Sequence, residues 1–315
     1  SYGYTQSDGR LNVSDGAVLN VDGDMSAKET ENAGVIKIKG DSVFSGRLNG
    51  GTVISDGDMD MSADFTPDSL KFTGKTAQYV YNTASTSVKN LEIDNMSKSG
   101  FNVKSVINVS DKFTNKTKNL INSSNIKLKG GSIYDDCGTS SRSDLTVSGD
   151  YTLQSGKTLT VNGDFKLTSG AKLTVEDGAK LKVNGNFVSD SADIVVAKGG
   201  NITVNDYFSV KSGSLALGGS AEVKGDTVLA NTVISGDGGL IMKGDIENSS
   251  CTWNSPALEF NSRLPQYVGG DNITAGSLTV KNGSKSGITF GTSVYYDELT
   301  SDSVKINNEN KLIKK

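Results

Sequence analysis

Carboxylates are the residues of this 315-residue chain best placed to do chemistry. Asp56, Asp58 and Asp60, with Asp64 just beyond, recur at alternate positions. At a strand period of two the first three share one face, and Met59 and Met61 take the other. Three carboxylates in a row repel unless they are solvated or bridged by a hard cation such as Ca2+. The spacing is not that of an EF-hand, because Met61 stands where the loop needs its glycine and Pro67 where it needs its final glutamate. A solvated outer face is the expectation, with calcium as the alternative. No other cofactor is expected.

A second pair, Asp135 and Asp136, lies beside Cys137. A glycosidase needs two carboxyls about 5–10 Å apart around a sugar. Neighbours on a strand point to opposite faces, so this pair reads as a polar turn. The chain contains no histidine. That excludes Ser-His-Asp and Cys-His nucleophile systems and histidine-ligated zinc. The two cysteines, Cys137 and Cys251, are too few for a four-cysteine zinc site, and their separation argues against a disulfide.

Aromatic residues are the other candidates. Gln78, Tyr79 and Tyr81 in the first half, Gln266 and Tyr267 in the second, and Tyr295-Tyr296 near the end could stack on sugar rings or simply cover a wide part of the core. Trp253, in Cys251-Thr-Trp-Asn-Ser-Pro256, is expected on a lateral loop that breaks the strand pattern. The sequons at Asn12, Asn108 and Asn201 are expected by chance in so Asn- and Ser-rich a chain.

What must position these groups is a repeat. A phrase of apolar–x–apolar, two polar or glycine residues, then often Asp and an aromatic recurs as Leu145–Tyr151, Leu159–Phe165, Leu181–Phe187 and Ile202–Phe208. Starts at 19, 36, 53, 70, 91, 107, 126, 145, 159, 181, 202, 221, 240, 258 and 278 give a period of about 19 residues. The alternation marks strands. In Leu159-Thr160-Val161 the Leu and Val point inward and Thr160 to water, and Asn162-Gly163 supplies a corner. The fold class expected is all-β, a single-stranded right-handed parallel β-helix running through residues 1–315 as one continuous solenoid.

A longer repeat overlies the first. Leu11–Asp24 matches Leu173–Asn186 at an offset of 162, whereas Leu70–Phe72 with Gln78–Val80 matches Leu258–Phe260 with Gln266–Val268 at 188. Leu91–Asn95 and Ser97–Gly100 match Leu278–Asn282 and Ser284–Gly287 at 187. Residues 11–113 thus resemble 173–300, with about one coil inserted.

The Gly-Asp-aromatic phrase with alternating Leu, Val and Ile resembles the right-handed β-helices of bacterial secreted proteins. These are filamentous-haemagglutinin-like adhesins and pectate-lyase-like repeat proteins of Gram-positive surfaces; the cellulose-binding tāpirins are a narrower resemblance of the same kind. The resemblance covers nearly the whole chain but is one of repeat style. It implies a secreted or surface-displayed adhesin, part of a longer multi-module chain, and the mid-pattern start at Ser1 reads as an excised or mature fragment.

The function expected is a non-catalytic extracellular scaffold presenting a binding surface to a glycan or to a host or bacterial surface ligand. A carbohydrate-binding module for plant or host polysaccharide, and a polysaccharide lyase or hydrolase on the same fold, are the alternatives. The net charge of −4 shows no basic stripe for nucleic acid. No apolar run is long enough to span a bilayer.

Overall fold

Apolar–x–apolar strands bury one face each, and parallel stacking lets every strand bury that face over the next. A computed structural model of the chain realises this pattern. It describes residues 3–62, 64–83, 86–117, 119–128, 132–135, 140–141 and 144–315. Strand accounts for 55% of the structure and helix for 2%, arranged as a parallel β-solenoid of about 14 turns. A turn takes about 20 residues, close to the period of the phrase.

The chain divides into two compact units, Ser1–Gly149 and Asp150–Lys315. A typical turn carries three short strands, and in Thr86–Ile93 and Ile107–Asn115 two of these run together. In the first unit one turn is Leu11–Val13, Val18–Val21 and Met25–Ala27, and the next is Thr30–Asn32, Val35–Ile38 and Ser42–Phe44. Leu19, Ile36, Val53 and Leu70 stand in register, so three turns separate Leu19 from Leu70. In the second unit Leu181, Ile202, Ala221, Leu240 and Leu258 stand in register, a step of four turns. The growth of the offset from 162 to 188 between the two copies is this one extra turn together with the longer turns of the second copy, 18 to 21 residues against 17.

Leu159, Val161, Leu181, Val183, Ile202 and Val204 are all buried, at most 2% exposed. Thr160 points outward between them and is half-buried. Aromatic side chains form their own inner column, with Phe165–Phe187 and Phe187–Phe208 ring centroids 5.3 and 5.0 Å apart. The phrase does not keep to one face of the first unit. Leu91 pairs with Phe113, and Ile107 pairs instead with Thr86 on the preceding face. The short 16-residue step between those two starts is a change of face, not a short turn.

Corners are held by polar ladders that run from turn to turn. Asn184 donates to Asn162 Oδ1 at 2.6 Å and Asn205 donates to Asn184 Oδ1 at 2.8 Å. At another corner Ser191, Ser212, Asn231 and Ser250 succeed one another in left-handed conformation, with φ of 55, 53, 49 and 53°. L-residues adopt that region at a cost, so the corner is fixed by the strands on either side.

Candidate functional site

The Gln-Tyr-Val segments that recur in both copies begin with a buried amide. Gln78 opens strand Gln78–Asn82 and Gln266 opens strand Gln266–Gly270; they are 1% and 2% exposed. Gln78 Nε2 donates to the carbonyls of Ser55 at 3.0 Å and Gly57 at 2.8 Å. Gln266 Nε2 donates to the carbonyls of Met242 and Gly244, both at 2.9 Å. Gln78 Oε1 accepts from Gly74 N and from Asn95 Nδ2, and Gln266 Oε1 from Asn282 Nδ2. These side chains satisfy corner carbonyls of the preceding turn and face the interior. The two glutamines expected at a binding surface are thus engaged inside the fold.

The acidic run is also divided. Asp56 and Asp58 sit in the corner that precedes strand Met59–Met61, and only Asp60 stands on the strand's outer face. Met59 and Met61 are buried opposite it, as the alternation requires. Asp58 belongs to a ladder. Asp24 Oδ1 accepts the N–H of Asp41 at 3.0 Å, Asp41 Oδ1 that of Asp58 at 2.8 Å, and Asp58 Oδ1 that of Tyr79 at 2.9 Å. Asp226 and Asp245 do the same in the second unit, the latter for Tyr267 N at 2.7 Å. The Gly-Asp phrase therefore joins one turn to the next.

Partial burial pushes the Asp58 carboxyl above its ordinary value, Asp41 adds to this, and the Tyr79 N–H opposes both. Asp56 binds the Thr73 hydroxyl. The reading of Asp56, Asp58 and Asp60 as one carboxylate face is thus corrected, because the corner at Gly57 breaks the strand between them. Among the described residues no three His, Cys, Asp or Glu side chains gather as they would around a metal.

The tyrosines are placed differently in the two copies. The Tyr79 and Tyr81 rings stack with centroids 6.2 Å apart and planes 22° apart, and the Lys104 ammonium lies 5.6 Å from the Tyr79 centroid. The equivalents of Tyr81 and Lys104 are Gly269 and Gly291, and Tyr267 stands there without either neighbour. It is 45% exposed, against 43% for Tyr81. Tyr295 and Tyr296 are half-buried on strand Val294–Tyr296.

Trp253 lies on strand Thr252–Asn254, paired in register with Val233–Ser235, and not on a lateral loop. The ladder demands only backbone, so the weak side-chain alternation there does not prevent pairing. The indole is half-buried, and its N–H is buried without a partner. Cys251 beside it is a free thiol whose ionisation burial opposes. Asp136 and Cys137 lie outside the described residues.

One charged cluster escapes sequence reading because its members come from three turns. Lys71 and Lys116 both approach Glu92 Oε1, at 3.0 and 2.7 Å, and Asp94 Oδ2, at 3.9 and 3.7 Å. Burial raises the Glu92 carboxyl, but Lys116 and Lys71 together outweigh it and hold it below its ordinary value. A shallow cleft of about 260 Å3 opens beside it, lined by Thr52, Ser69, Lys71, Asn90, Glu92 and Lys112 among others. The register that aligns Lys71 with Glu92 is the signal that locates this cluster.

No family model matches the chain, and no curated protein or solved structure does so either.

Proposed function

We propose that this chain is a non-catalytic extracellular scaffold of the adhesin kind, whose outer faces present a binding surface to glycan. The observation that supports this reading is the tyrosine shared by both copies. At the Gln-Tyr-Val segment the glutamine, the neighbouring asparagine and the preceding aspartate are each engaged in holding one turn to the next. Tyr79 and Tyr267 share that position and neither hydroxyl is engaged in joining the turns; the Tyr79 ring is stacked on Tyr81 beside Lys104, whereas Tyr267 is exposed. An aromatic ring with a hydroxyl, kept on a rigid outer face, suits a polar ligand with an apolar side. Extracellular placement rests on the style of the repeat. A glycan array, with retention on whole bacterial and host cells, tests the reading. Selective binding is expected, without release of reducing ends or of unsaturated products. Absence of binding in both formats, or turnover abolished by one Asp substitution, overturns it.

A further inference from the structure

Gly269 and Gly291 occupy positions where glycine is costly. Gly269 lies inside strand Gln266–Gly270 and Gly291 directly follows strand Ile288–Phe290. Neither has a left-handed φ, so the backbone does not call for glycine at either place. What each lacks is room. A Cβ on Gly269 would lie 2.6 Å from Tyr267 Cε1, and one on Gly291 would lie 2.6 Å from Tyr267 Cζ and nearer still to its hydroxyl. The Tyr267 ring therefore lies down across two successive turns, over bare backbone, with its outer side in solvent. Glycine in a strand often marks such a close approach.

We infer that Tyr267, bedded on Gly269 and Gly291, is a stacking platform for a neutral pyranose chain. This rests on the scaffold reading above and assigns its ligand class. The outer face of a tyrosine ring is the negative side of its quadrupole and attracts the C–H face of a sugar with equatorial hydroxyls. Glu247, exposed on strand Ile246–Ser249, stands in register with Gly269 at the platform's edge. Its carboxylate accepts hydrogen bonds from sugar hydroxyls and repels a uronate. Thr289, in register with Tyr267 on the other side, carries a hydroxyl already bonded by Asn307 at 3.1 Å. The copy at Tyr79 has no such platform, because Tyr81 and Lys104 cover its ring.

The test uses the full chain with cellohexaose, xylohexaose and mannohexaose as neutral probes and oligogalacturonate as the anionic one. Calorimetry and saturation-transfer NMR report binding, and a thermal melt reports folding. At least one neutral probe is expected to bind and Tyr267→Phe to bind like the parent. Tyr267→Ala and Gly291→Ala should weaken it about tenfold, roughly the worth of one aromatic contact. Gly291→Ala is the sharper variant, since it keeps the tyrosine and only lifts a side chain that can swing. If it also lowers the melting temperature, Tyr267→Ala decides. Unchanged affinity in Tyr267→Ala, or a preference for oligogalacturonate, overturns the platform. Binding that depends on Tyr79 or on another face removes the platform but leaves the scaffold reading. Binding to none of the four probes removes the platform, and the array and cell assays then decide the scaffold reading separately.

Discussion

The side-chain amide of Asn95 donates to Gln78 Oε1 at 2.9 Å, and the same bond joins Asn282 to Gln266 at 3.2 Å. Each pair is buried, and each glutamine also reaches two carbonyls of the turn before it. A buried amide that loses its partner costs about 1–3 kcal/mol. Gln78→Leu and Gln266→Leu are each expected to cost about that much by denaturant titration, since two carbonyls are orphaned. Glycan retention per folded molecule should stay at the parent level. Loss of retention without loss of stability would return these glutamines to the ligand.

Leu181 is fully buried in a column whose next rungs are Leu159 and Ile202. Leu181→Asp puts an unpaired charge there and is expected to unfold or fray the second unit, at a cost of several kcal/mol. Thr160 faces outward in register with Lys182. Thr160→Asp should be tolerated and gains a lysine neighbour. Comparison of the two melting temperatures checks the inward and outward assignment.

Acid should loosen the first unit through Glu92. Its folded pKa is depressed, so its stabilising contribution is present above the ordinary glutamate value. That contribution is lost as pH falls through the lowered folded value. Melting curves of the parent and Glu92→Gln, taken from neutral pH into the acid range, should converge as pH falls. Parallel curves at every pH would show that the two lysines give Glu92 no net stabilisation.

Ser212 is exposed and carries a φ of 53° at a corner where the next turn has Asn231 at 49°. Asparagine visits the left-handed region more readily than serine. Ser212→Asn should raise the denaturation midpoint slightly, and Ser212→Val should lower stability by about 1–2 kcal/mol. Equal midpoints for the three proteins would mean that the corner carries no conformational cost.

The strands and their inward faces were legible because alternation is a local property: Leu181 and Val183 announce one buried face within three residues. The roles of Asp58 and Gln78 were not. Their partners, Tyr79 N and the Ser55 and Gly57 carbonyls, lie 21 to 23 residues away and meet them only when turns stack. The strand at Trp253 is hidden because its neighbours look like a loop, whereas pairing with Val233–Ser235 is made by backbone alone. Gly269 and Gly291 gave no signal by themselves, since their meaning depends on a ring that reaches them from Tyr267.

The aspartate ladder has a consequence for how such a chain can change its length. Asp41 donates its N–H to Asp24 and accepts that of Asp58, 17 residues apart in both steps. A rung that treats both neighbours alike can be copied or deleted whole, and the flanking rungs then meet each other with the same bond. The two copies in this chain already differ in that way, three turns against four between matching leucines. A whole turn can then be added between two rungs while the backbone N–H of Tyr79 or Tyr267 still meets an aspartate of the turn before it.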